Sequence, residues 1–174
     1  MKKCLTILLL CLLPLVTGCD LSTPVQDSEP NERFIGFVTQ IESNEVLIND
    51  VWFSFNDGTV FSTDKDKKIH SVDIEVGQKI QVNFDGEMEE SFPGKAFANE
   101  MVFLTDAQSE KEGNAVKLVV KDPRFSQVAI QSMEKNPTGM YSLRFKELTI
   151  NRDVHVLVNL NDERVIVPIH TSTK

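Results

Sequence analysis

The stretch Val76-Gly77-Gln78-Lys79-Ile80-Gln81-Val82-Asn83-Phe84 decides the fold class of this chain. Ile80, Val82 and Phe84 alternate with polar residues, and a period of two places the apolar side chains on one face of a half-buried strand. Asp85-Gly86 closes that strand as a turn. Upstream, residues 33–41 are rich in aromatic and β-branched side chains, and the polar Glu42-Ser43-Asn44 separates them from a second apolar run over residues 45–55, giving a hairpin. Asn56-Asp57-Gly58 then turns the chain into a third strand at residues 59–62. Residues 63–68 read as a charged surface loop, and a last strand covers residues 95–104. Short strands with turn punctuation and no helix predict a small OB-like five-stranded barrel over residues 33–105, because closure removes the exposed edges of so small a sheet.

Beyond it, residues 106–114 are polar and read as a linker. Residues 115–174 read as a small α+β domain. Its first strand covers residues 116–121, and Asp122-Pro123 supplies an N-cap followed by proline at the first helical position. Phe125, Val128, Ala129 and Met133 recur at helix spacing, with the helix ending before Pro137. Strands at residues 140–150, 154–160 and 164–169 complete a β-α-β-β-β lobe. The chain as a whole is predicted to be mainly β with an α+β second lobe.

At the other end, Lys2 and Lys3 open an apolar run that finishes in Leu15-Val16-Thr17-Gly18-Cys19, which resembles the lipidation box of bacterial lipoproteins. A spanning helix needs about 20 apolar residues, whereas this run breaks at Pro14. The expected product is a signal peptide of residues 1–18, cut between Gly18 and Cys19, with a diacylglycerol thioether on Cys19. Two acyl chains anchor stably where one binds marginally. Cys4 and Cys11 leave with the leader and Cys19 is consumed by lipid, so no thiol is left for a disulfide, a zinc site or a nucleophile. Residues 19–32, rich in Ser, Pro, Gln and acids, read as a disordered tether. The expected location is the cell membrane, lipid-anchored, on its extracytoplasmic face.

The chain has 174 residues and a net charge of −8, unevenly spread. Residues 33–105 hold 6 basic and 13 acidic side chains, residues 115–174 hold 9 and 6. An acidic lobe is followed by a mildly basic one.

In the first lobe, Phe34-Ile35-Gly36-Phe37-Val38, Val51-Trp52-Phe53-Ser54, the glycine-led alternating strand, Phe84-Asp85-Gly86 and Glu90-Ser91-Phe92-Pro93-Gly94-Lys95-Ala96 occur in that order. This ordered set resembles the YobA-like family of small Gram-positive lipoproteins, whose shared domain has no assigned function. The resemblance implies an OB-like barrel behind a lipidated leader and carries over no catalytic residue. The chain departs from that pattern at Phe92, where tyrosine is expected, and at Asn83, where an aromatic is expected.

No motif points to an enzyme or a cofactor. His70, His155 and His170 lack metal-site spacing. The loop from Asp64 to Glu75 has Ile69 where a calcium loop requires glycine. Ser91 lies in Glu-Ser-Phe-Pro-Gly, which is not a nucleophile elbow. Asp85, Glu87, Glu89 and Glu90 are an acidic group of the kind usually solvated. Single-stranded nucleic acid requires a positive groove, which an acidic lobe lacks. The remaining candidate is a binding surface: Trp52 and Phe53 point to opposite faces of one strand, so one ring is outside. Beside Ser91, Phe92 and Pro93 it would form a groove for a peptide or an envelope protein. The expected function is therefore a lipid-anchored, non-enzymatic binding or accessory module of the cell envelope. The alternatives are an envelope hydrolase assembled only in three dimensions and a structural spacer.

Overall fold

A computed structural model describes residues 32–65 and 67–168. The leader, Gly18, Cys19, the tether up to residue 31 and His170 lie outside the described residues. The chain forms two sheets and one helix. The first sheet contains β1 (Glu32–Ile41), β2 (Glu45–Ile48), β3 (Val51–Ser54), β4 (Val60–Thr63), β5 (Lys79–Phe84), β6 (Gly94–Phe97) and β7 (Glu100–Phe103), in the order β4-β7-β5-β1-β2-β3-β6. Helix α1 (Ala107–Lys121) follows at once. The second sheet contains β8 (Val128–Lys135), β9 (Tyr141–Glu147), β10 (Arg152–Asn159) and β11 (Arg164–Ile166), in the order β11-β10-β9-β8.

The alternating stretch is β5, with Ile80, Val82 and Phe84 buried as its period requires. It pairs with β1 on one side and β7 on the other. Seven strands stand where five are expected, because two expected strands are each divided. Asn49 takes a left-handed conformation (φ 53°), a geometry asparagine tolerates better than most residues. It turns β2 back into the antiparallel β3. Likewise Ala98 and Asn99 separate β6, which pairs parallel with β3, from β7, which pairs parallel with β4. Among the described residues no ladder joins the edge strands β4 and β6, so a closed barrel is not seen.

The second lobe differs from the expected β-α-β-β-β order: it is one helix followed by four antiparallel strands. Residues 106–114, expected to be a linker, are the N-cap and first half of α1. Asp106 caps the helix, its carboxylate accepting from the Gln108 and Ser109 N–H groups at 2.9 and 3.0 Å. Hydrogen bonds from Ser109, first its hydroxyl and then its N–H, hold the Asp106 carboxyl below its usual range. The β-branched run at residues 116–120 suggested a strand, yet Val116 and Val119, with Ala115, form the buried face of this helix. Conversely, Val128, Ala129 and Ile130 are consecutive and all buried in β8. A register irregularity between Ile130 and Ser132 and burial on both faces hide the strand's period of two.

The lobes share a tight interface. Gly77 and Gly113 bring the backbones of the β5 approach and the helix together, and a β-carbon on Gly77 would lie 2.6 Å from the Gly113 carbonyl oxygen. Lys79 Nζ meets Glu112 Oε2 at 2.6 Å beside this contact. Asn49 joins three strands: its side-chain oxygen accepts from Phe37 N–H at 2.9 Å, and its carbonyl accepts from Ile130 N–H at 3.1 Å.

Alanine ordinarily stabilises a helix interior relative to glycine by about 1 kcal/mol. At Gly113 the sign should reverse, because the added methyl group meets the Gly77 carbonyl. Gly113→Ala is expected to lower stability by about 1–3 kcal/mol in urea denaturation, while Asn114→Ala, on the exposed side of the same turn, lowers it far less. A stabilised Gly113→Ala protein would contradict the close packing.

Candidate functional site

Trp52 lies on the outer face of β3 and is half-buried, because its neighbour Phe53 turns inward and is fully buried. The parallel pairing sets Lys95 opposite Trp52 and Phe97 opposite Ser54. These strands therefore present Trp52 and Phe97 on one face, diagonally across the pair, with Phe97 41% exposed. The segment after β5 runs alongside, where Met88 is 39% exposed. Asp85 is tied there by the Asn99 side-chain amide, which donates to its carboxylate. Glu89 N–H donates to the Lys95 carbonyl at 2.9 Å. Together they enclose an open groove of about 800 Å³.

The lining of the groove includes the large apolar side chains Trp52, Phe97 and Met88. Its walls carry four carboxylates, Glu45, Asp85, Glu87 and Glu89, against one cation, Lys95. None of these five side chains forms an ion pair among the described residues. Their negative charge is left to act outward. The carboxylates are dispersed along the walls, and no group of three or more potential metal ligands converges among the described residues.

Of the binding surface expected from the sequence, Trp52 is in this groove and Ser91, Phe92 and Pro93 are not among the residues lining it. Phe92 is half-exposed, and the Lys146 ammonium of β9 stands 5.0 Å from its ring centroid, a cation–π contact that directs it towards the second lobe. Ser91 Oγ donates to the Pro93 carbonyl at 2.8 Å, a local bond that needs no further role. The residues that line the groove with Trp52 include Phe97, Met88 and the carboxylates. Phe97 was concealed because residues 95–104 read as one strand, and only the parallel register of β6 against β3 shows which face it takes. The acidic group after Phe84 was visible, but its position beside Trp52 was not.

A larger cavity of about 940 Å³ lies beside the first half of β10, with Arg124, Arg144, Arg152, Asp153 and His155 in its lining. Its arginines are largely neutralised. Arg124 pairs with Asp122 at 2.6 Å, and Arg152 pairs with Glu147 at 2.8 Å. The hydrogen bond from Arg124 holds the Asp122 carboxyl below its usual range. His155 is half-buried. Its Nε2 lies 2.8 Å from Ser142 Oγ across the β9–β10 pair. No carboxylate bonds the other ring nitrogen among the described residues, so the pair lacks the third member that orients a catalytic histidine. His70 is remote in the chain, exposed at the start of a short 3₁₀ turn.

Fold and site thus define a mainly β, two-sheet protein with an acidic aromatic groove on its first sheet. Residues 35–103 match the family described as "Protein of unknown function (DUF3221)". That DUF3221 domain covers nearly the whole first sheet and stops before α1. No curated protein and no solved structure matches the chain. Among the described residues no helix is long and apolar enough to cross a membrane.

Trp52 is the single tryptophan of the chain, so its fluorescence reports on the groove alone. The carboxylate walls should concentrate cations and repel anions near the ring. The ratio of caesium to iodide quenching of Trp52 is therefore expected to exceed that of free N-acetyltryptophanamide at low ionic strength. The excess should collapse near 1 M salt, where the screening length falls to about 3 Å. A ratio equal to that of the free indole at low salt would show that the carboxylates exert no field at the ring.

Proposed function

We propose that the chain is a lipid-anchored, extracytoplasmic binding or accessory module of the cell envelope, with the Trp52 groove as its binding surface. The observation that carries the binding reading is the groove's makeup: neighbouring apolar side chains stay accessible, walled by carboxylates that have no ion-pair partners among the described residues. Accessible apolar surface with a polar rim is the usual composition of a protein interaction site. The anchor rests on the Leu15-Val16-Thr17-Gly18-Cys19 box, and the acidic tether behind it would hold the domains clear of the bilayer. The ordered first-lobe motifs support kinship with YobA-like lipoproteins. Parallel β3–β6 and β4–β7 pairs, with β6 and β7 nearly continuous, support an OB-like plan for the first lobe.

A test of both halves uses intact cells. Radiolabelled palmitate should enter the wild-type chain and not Cys19→Ala; equal labelling of the two would overturn the anchor. A photoreactive amino acid at position 97 should give a discrete crosslinked adduct that Trp52→Ala abolishes, whereas the same probe at exposed position 166 should give none. Absence of an adduct at position 97, or an adduct indifferent to Trp52→Ala, would overturn the binding surface.

One observation favours a second reading, an envelope hydrolase: the contact between Ser142 and His155. A nucleophile and a base within hydrogen-bond reach are two parts of an acyl-transfer site. A fluorophosphonate probe should leave the chain unlabelled if the contact is structural. Labelling that Ser142→Ala removes would establish the hydrolase reading instead.

A further inference from the structure

The geometry points to a partner for the Trp52 groove: an extended peptide segment that carries Lys or Arg beside an apolar side chain. This assignment rests on the binding reading above and names the chemistry of what binds. Three observations converge on it. The first is charge, since the groove lining holds four carboxylates and one lysine, with no ion pair among them to absorb that excess. A lining with net negative charge beside apolar surface focuses attraction on the opposite charge.

The second is the apolar part of the lining. Trp52 and Phe97 place aromatic rings in the lining, a guanidinium or ammonium group is favoured over the face of such a ring, and Met88 adds an adaptable apolar surface. Arg and Lys also bury their aliphatic stems along such a surface while the charged head reaches the rim. A small inorganic cation uses none of this. It would also need converging ligands, which the dispersed carboxylates do not supply.

The third is the state of the edge strand. β6 is the margin of its sheet, where strand addition is the common mode of peptide capture. At Lys95, however, the Glu89 N–H already occupies the carbonyl, as part of a bridge between the two residues. Recognition therefore falls to side chains entering the groove rather than to a continued backbone ladder. The segment is read by its charge and by the apolar residue next to it.

The test titrates the full chain, in a neutral detergent, with three short peptides that share their apolar residues and differ in bearing Arg/Lys, Asp/Glu or uncharged polar residues. Trp52 fluorescence is the readout. The basic peptide should shift the emission saturably and bind at least about tenfold more tightly than the uncharged one, with affinity falling as salt rises. Glu87→Lys/Glu89→Lys should reduce binding about tenfold or more. Lys95→Glu, which removes the one opposing charge, should strengthen it. All three positions are exposed, and a response in opposite directions cannot come from misfolding. Equal binding of the basic and uncharged peptides, unchanged by either variant, would overturn the partner chemistry and leave the groove as a binding surface. No response to any peptide, with the position-97 adduct still forming in cells, would also overturn it. Loss of both the response and the adduct would remove the binding reading itself.

Discussion

Phe37 and Val38 are consecutive residues of β1, and their side chains enter different hydrophobic cores. Val38 packs with Val46, Phe53, Ile80 and Val82 inside the first sheet, while Phe37 packs with Val116, Leu143 and Phe145 beneath the helix. The period of two along one strand thus joins the lobes through a shared wall. A one-residue slip of β1 would exchange these side chains between the cores. Asn49 guards that register by accepting from the Phe37 N–H and donating its own N–H to the Phe37 carbonyl.

The shared wall explains why α1 begins directly after β7, with no flexible spacer. The helix must lie against Phe37 on one side and the second sheet on the other. The Gly77–Gly113 approach sets its distance from the β5 side. Residues 106–121 are therefore part of the joint between the lobes. With both lobes held together, the Trp52 face of the first sheet and the Arg144–His155 region of the second keep fixed positions, each with its own chemistry. The first is aromatic and acidic with unpaired charge. The second is rich in arginine, but most of that charge is matched by Asp122 and Glu147.

Much of the first lobe was legible in the sequence. Its strands follow from alternation that a single buried face makes visible, and Asn56-Asp57-Gly58 and Asp85-Gly86 mark its turns. The Asn49-Asp50 and Ala98-Asn99 breaks were read through because each is only two residues long and apolar runs flank it on both sides, although Asn49-Asp50 is itself a polar turn signal. The second lobe was misread for a related reason. Val116, Val119 and Val120 have the composition of a strand and Phe125, Val128, Ala129 and Met133 the spacing of a helix, yet tertiary packing reverses both. Ala129 is fully buried although it belongs to neither the cluster of Val128 and Ile130 nor that of the first sheet. Local periodicity cannot encode that.

The candidate site divides the same way. That one of Trp52 and Phe53 must face outward follows from strand geometry alone, as does the presence of an acidic segment after Phe84. The expectation of a lipidation box at Cys19 likewise rests on local sequence alone. Which residues share the groove with Trp52 depends on the parallel register of β6 against β3, which brings together positions more than forty residues apart in the chain. Sequence determined the alternation, the turns and the charge of each segment, because these are properties of neighbours along the chain. Tertiary structure alone decided that Phe97 and the carboxylates, rather than Phe92, stand beside Trp52, because strand pairing is a contact between distant segments.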